Sequence, residues 1–250
     1  MGTGMKRLFG GLVAGIAIAF LTVSPAQAAP ATECTGTITG GTTGSLIVPE
    51  GETCTLEGVT VNGNIRIEAG GALITDDSTI NGNVRGNGAR TVQLIDTDVV
   101  GTGTTGNITL TGTTGKIVIG SEGCRVDPAV GNNITLIDNE GNISICYMTV
   151  GETINVQGTD DGRIGIHNNT VGNSLIVQDN TGARITLTNN NVGVSGGGSI
   201  NVDNNTTTLK LNLTNNHSAN ALNCTGNVLP PTGSGNTADN GGHGQCADLA

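Results

Sequence analysis

An all-β architecture, a parallel β-solenoid wound from coils of roughly 21 residues, is what this 250-residue chain predicts. Three observations carry that reading. A short apolar strand followed by asparagines recurs: Ile164-Gly-Ile166-His-Asn-Asn, Leu175-Ile-Val177-Gln-Asp-Asn, Ile185-Thr-Leu187-Thr-Asn-Asn, Ile200-Asn-Val202-Asp-Asn-Asn and Leu211-Asn-Leu213-Thr-Asn-Asn. The steps are 11, 10, 15 and 11 residues, so two of them make about one turn, within the period that marks repeat architectures. Large aromatic residues are nearly absent: there is no Trp, both Phe lie before residue 29, and Tyr147 is the only Tyr. A compact globule of this size uses rings as bulky filler, whereas stacked coils bury thin layers of Val, Ile, Leu and Ala. The third observation is that the six cysteines, taken in order, are separated pairwise by 20, 22 and 22 residues, each about one coil.

The start reads as a signal peptide over residues 1–29. Lys6-Arg7 form a basic front, Leu8 to Val23 an apolar run, and Ala26-Gln27-Ala28 a small-x-small cleavage site. Its removal leaves eight basic against twenty acidic residues, a formal charge of −12. Such a chain is expected to be repelled by nucleic acid and by anionic membrane surfaces. No other stretch is long and apolar enough to span a membrane, and export places the protein outside the cell or on its envelope.

Residues 30–57 read as an N-terminal cap and first coil, rich in Gly and Thr around Leu46-Ile-Val48. The β-helix repeats occupy 58–222. Thr60-Val61-Asn62-Gly63-Asn64-Ile65-Arg66-Ile67 returns 19 residues later as Thr79-Ile80-Asn81-Gly82-Asn83-Val84-Arg85. Copies follow at Asp98-Val99, with a Gly/Thr insertion before Asn107-Ile-Thr-Leu110, and at Arg125-Val126, running to Asn133-Ile-Thr-Leu136. Thr149–Val156 aligns with Thr170–Val177 at an offset of 21. Three short strands per coil and right-handed winding, the rule for parallel crossovers, give a single-stranded right-handed parallel β-helix of seven to eight coils. Asn168, Asn189, Asn204 and Asn215 are expected at corners in the left-handed conformation, with side chains stacked in ladders. Residues 223–250 form a C-terminal cap. Residues one coil apart stack about 4.8 Å from each other, a separation a disulfide accepts. The expected bridges are therefore Cys34–Cys54, Cys124–Cys146 and Cys224–Cys246. No Cys-x-x-Cys occurs and His167, His217 and His243 lack zinc spacing, so no metal or cofactor is expected.

The coil pattern resembles the right-handed parallel β-helix superfamily that includes pectate lyases. The closing segment, Asn223-Cys224 through Leu229-Pro230-Pro231-Thr232-Gly233 to Gln245-Cys246, is similar to the cap of small secreted bacterial β-helix proteins. Lyases of that superfamily use calcium-binding carboxylates with a basic residue on one face, and hydrolases use two carboxyls across a cleft. Asp138, Asp160 and Asp179, separated by 22 and 19 residues, make an acidic stripe beside Asp161, Arg163 and His167, the polar face on which such an enzyme would work. Turn formation is the favoured account of aspartates at these positions. The Gly-Gly-x-Gly-x-Asp calcium repeat, the EF-hand loop, Gly-x-Ser-x-Gly and the phosphate-loop motifs are absent. Leu229-Pro-Pro-Thr-Gly233 fits a sortase signal but lacks the hydrophobic span and basic tail that must follow it. Thr109-Leu-Thr111 and Thr186-Leu-Thr188 suit an ice-binding array, which Gly165 interrupts one coil before Thr186. The expected function is that of a secreted, non-catalytic β-helix, a structural or binding module for cell-wall or extracellular polysaccharide. A polysaccharide-active enzyme on the Asp138–Asp160–Asp179 side is the alternative, and ice binding a further one.

Overall fold

A computed structural model describes residues 1–2, 30–101, 105–121 and 127–250. All but the first two residues of the expected signal peptide, together with Cys124 and the fourth copy's Arg125-Val126, lie outside the described residues. Within them the chain forms short parallel strands in three sheets and no helix. An eleven-strand sheet runs from Thr32–Glu33 to Gly242–Gly244, a nine-strand sheet from Thr37–Thr39 to Lys210–Thr214, and a ten-strand sheet from Thr42–Thr43 to Thr237–Ala238. The chain visits the three sheets in that order on each turn until the last, where only the isolated bridge of Thr232 to Asn212 stands at the nine-strand sheet. This is a parallel β-solenoid of about ten turns, more than the seven to eight expected. The difference arises at the ends. Residues 30–57 and 223–250 are themselves wound into the sheets, but their strands, such as Thr32–Glu33 and Gly242–Gly244, lack the aliphatic pattern that marks a coil in sequence.

The expected registers hold. Thr60 and Val61 pair with Thr79 and Ile80. Thr149 and Val150 pair with Thr170 and Val171, and Ile154 and Val156 with Leu175 and Val177. Period-two alternation sends every second side chain inward, so like stacks on like. Leu46, Ile65, Val84, Ile108, Ile134, Ile154, Leu175, Ile200 and Leu222 form one continuous buried row. Each such side chain contributes about 1.5–3 kcal/mol relative to exposure, which is how a core without rings holds.

The corners leaving the eleven- and nine-strand sheets share one recurring device: a residue in the left-handed conformation followed, in most turns, by a buried polar one. Asn168, Asn189, Asn204 and Asn215 have φ of 53–55°, as expected, and Asp77, Asp96, Asp138 and Asp179 do the same work. The ladders, however, belong mainly to the next residue. Leaving the nine-strand sheet, Asn169, Asn190, Asn216 and Asn236 stack inside the corner, each Nδ2 donating to the next Oδ1 at 2.9–3.0 Å. The backbone N–H of each also donates to that oxygen, and the same Nδ2 groups reach Ile145, Ile166, Leu187 and Leu213 carbonyls. A second column, leaving the eleven-strand sheet, runs Asn180, Asn205, Asn227 and ends on Gln245. Among the four asparagines expected to stack, only Asn189 to Asn168 forms such a bond among the described residues, at 2.9 Å on the exposed side.

Two expected disulfides are present. Cys34–Cys54 and Cys224–Cys246 each join neighbouring turns with Cα atoms 5.3 Å apart. Their cysteines are not in strict register: the strand partner of Cys224 is Gly244, two residues before Cys246. Cys146 is disulfide-bonded; its expected partner, Cys124, lies outside the described residues. Leu229-Pro-Pro-Thr-Gly233 belongs to the last turn, where Thr232 bridges to Asn212 and its N–H donates to the Leu211 carbonyl at 2.9 Å.

Candidate functional site: the outer face of the nine-strand sheet

The strands of this sheet are the longest, up to five residues, so each shows two or three outward side chains. Stacking converts these into rows parallel to the solenoid axis. The central row reads Thr55, Ile74, Gln93, Val118, Ser144, Gly165, Thr186 and Asn212. Two depressions lie on it. One is lined by Thr55, Ile74, Gln93, Val118 and Ser144, with Glu57 and Asp76 on one side and Lys116 on the other. The second is lined by Asn142, Ser144, Arg163, Gly165, Arg184 and Thr186, with His167 opposite the arginines. They share Ser144 and form one shallow trough along the axis.

Gly165 makes the second depression. A Cβ there would lie 2.7 Å from Nε2 of His167, so the imidazole covers bare backbone that any other residue would fill. Partial burial holds the His167 imidazole below its ordinary value of 6.5, which leaves it neutral at pH 7. A neutral imidazole offers one donor and one acceptor. Arg163 and Arg184 are direct strand partners in adjacent turns and both are exposed.

The expected polar face is only partly assembled. Arg163 and His167 stand on one strand, Arg163–His167, two residues either side of Gly165. The acidic stripe is not in register. Asp138 stacks towards Gly158 and then Asp179 in one corner, so those two carboxylates are two turns apart. Asp160 belongs to another position, bridged to Glu140, and accepts a hydrogen bond from the Thr181 hydroxyl. Asp161 beside it takes the left-handed conformation at φ 56°. Asp179 accepts from Gln157 Nε2 at 3.2 Å. The 22- and 19-residue spacings mislead because turns differ in length and the corners absorb the difference. Gly165, Arg184, Ser144 and Thr186 were not singled out as a group in the sequence, since only the strand register brings them together.

Among the described residues no group of three or more His, Cys, Asp or Glu is placed to hold a metal ion, and no helix is long and apolar enough to cross a membrane. The threonine arrays are short. Thr109 pairs with Thr135, then gives way to Arg85 on one side and Asn155 on the other. The longest stacked run among the described residues is Thr42, Thr60 and Thr79 on the ten-strand sheet. No protein-family model, curated protein or solved structure matches the chain.

Proposed function

We propose that the chain is a secreted, non-catalytic β-helix that binds an extended polymer of the cell wall or extracellular matrix along the trough of the nine-strand sheet. The observation that carries this reading is the shape and continuity of that trough: two depressions sharing Ser144, on one rigid sheet, follow the axis of the solenoid. A linear ligand laid along it meets a new turn about every 4.8 Å. Bridged cysteines suit an oxidising compartment, and the basic-apolar-small start of the chain suits export. The likeness to pectate-lyase-like proteins is a likeness of coil pattern, and function resides in the site a fold carries.

The reading is tested by passing the protein over cell-wall fractions and a panel of neutral and acidic glycans, with reducing-end release measured in parallel. Retention without turnover is the expected result. Turnover of a glycan that Asp160→Ala abolishes would instead establish the enzyme, and retention on nothing would remove the binding role.

A further inference from the structure

Residues 30–250 contain eight Lys and Arg, of which Arg125 lies outside the described residues. The other seven are not scattered. Arg66 and Arg85 are strand partners on the eleven-strand sheet. The remaining five lie along one margin of the nine-strand sheet. Following the register, the position beside each central residue runs Thr91, Lys116, Asn142, Arg163, Arg184 and Lys210, with Arg90 next to Thr91. Arg163, Arg184 and Lys210 occupy three successive turns, each charge about 4.8 Å along the axis from the next strand's.

This arrangement costs stability. Like charges directly opposite on adjacent strands repel. Acidic residues are more than twice as numerous in residues 30–250, yet they do not neutralise the column: the one ion pair among the described residues is Arg66 to Glu68 at 2.9 Å, on another sheet. All five side chains are exposed, so solvation is available to them, but solvation does not require one column. Arg163 and Arg184 moreover line the depression at Gly165, beside the His167 imidazole.

We propose that this column is the docking line for the ionised groups of a linear anionic glycan lying along the solenoid axis, an inference that rests on the binding-module reading and gives its ligand a charge. The occupant follows from complementarity. The column has one sign, it is straight, and it borders a trough open along its length. Neutral sugars are held largely by stacking on the broad rings of Trp, Tyr and Phe, and Tyr147 is the only one of these beyond residue 29. Guanidinium groups instead bind carboxylate, sulfate or phosphate oxygens through paired N–H donors. A single-stranded nucleic acid, which is held largely by stacking of its bases on rings, would lack those platforms here.

The test is affinity electrophoresis and calorimetry of the whole exported chain with polygalacturonate, dextran sulfate and teichoic acid, which separate carboxylate, sulfate and phosphodiester. Uncharged dextran and a single-stranded oligonucleotide are run beside them. At least one anionic glycan is expected to bind, dextran is not, and raising salt from roughly 0.05 to 0.5 M is expected to weaken the complex. Arg163→Gln and Arg184→Gln each reduce affinity by roughly two- to fivefold, the size of an exposed ionic contact. Arg184→Lys, which keeps the charge but loses the paired donors, falls between wild type and Arg184→Gln, and Arg66→Gln, on the other sheet, leaves the affinity unchanged. Far-UV circular dichroism confirms that these exposed substitutions leave the fold intact. Salt-insensitive binding of dextran, untouched by the arginine variants, would overturn the charge assignment while leaving the binding-module reading standing. Preference for the oligonucleotide over every glycan would also overturn it. Retention of no polymer at all would sink both.

Discussion

The two internal columns of asparagine differ in one respect that shows what the residue contributes. At the corner leaving the nine-strand sheet, Asn169, Asn190, Asn216 and Asn236 follow one another without a gap, and Asn190 and Asn216 use both Nδ2 hydrogens as well as Oδ1. At the corner leaving the eleven-strand sheet the run is broken. Asn139 and Asn180 flank Thr159, whose hydroxyl is buried without a hydrogen-bond partner among the described residues. Thr159 still donates its backbone N–H to Asn180 Oδ1 at 2.9 Å, but it passes nothing back to Asn139. Asparagine suits the position because one side chain both accepts from the turn before it and donates to the turn after it. Threonine fits the space without carrying the chain of bonds. Earlier turns close their corners with smaller devices, such as Ser78 accepting from the Val59 N–H at 3.1 Å.

The largest effect expected from breaking the comparison is at Asn190. Asn190→Asp replaces the Nδ2 donor with a carboxylate oxygen aimed at the Ile166 carbonyl and at Asn216 Oδ1. A buried polar group facing only acceptors, with charge added, is expected to cost about 3 kcal/mol or more, read as a fall in the urea midpoint. Ser78→Ala in the earlier turns removes one hydroxyl, which accepts from the Val59 N–H and donates to the Asp76 carbonyl, and is expected to cost about 1 kcal/mol in the same measurement. Equal losses in the two variants would show that the ladder adds nothing beyond one hydrogen bond. A smaller change of opposite sign tests the gap. Thr159→Asn joins Asn139 to Asn180 and is expected to raise stability by about 1 kcal/mol, and no rise would mean that the column is not limited by that hydroxyl.

The smallest effect concerns His167, on the strand that leads into Asn169. Burial depresses its folded-state value, so as pH falls through its ordinary value of about 6.5 the unfolded chain takes up the proton first. That contribution to stability is therefore complete above the ordinary histidine range, is lost as pH drops, and levels off below the folded value. Urea midpoints measured from pH 8 to pH 5 should show this decline, and His167→Gln should flatten it. A slope unchanged in the variant would assign the decline to other groups.

Much of the architecture was legible because identity and register coincide. Thr-Val units 19 and 21 residues apart pair as strands. The paired asparagines announced the corners, but not the division of labour within them. The first supplies a backbone conformation that tolerates little side chain, and the second supplies buried hydrogen bonds, a distinction that depends on which side of the corner faces inward. Tyr147 escaped notice for the same reason. It holds φ at 54° where its counterparts are Asp, Asn or Gly, and nothing in its chemistry marks it as a corner residue. The basic column was hidden by unequal turns. Lys116, Arg163, Arg184 and Lys210 are 47, 21 and 26 residues apart, intervals with no common period, and only the strand pairing makes them neighbours. The acidic stripe failed in the converse way: nearly regular spacing placed together carboxylates that the corners hold apart.

Because Thr170 and Val171 pair with Thr149 and Val150 below and with Asn191 and Val192 above, residues 170–190 constitute one removable rung. Excising them would splice Asn169 to Asn191 and give each surviving strand a neighbour of the same kind. The molecule would become shorter by a single step while its surface pattern closed over the seam. A cut that ended part-way round a turn would instead bring unlike strands together. Such a body grows or shrinks by whole rungs, so its reach along a partner is open to adjustment by duplication or loss without redesigning any part of it.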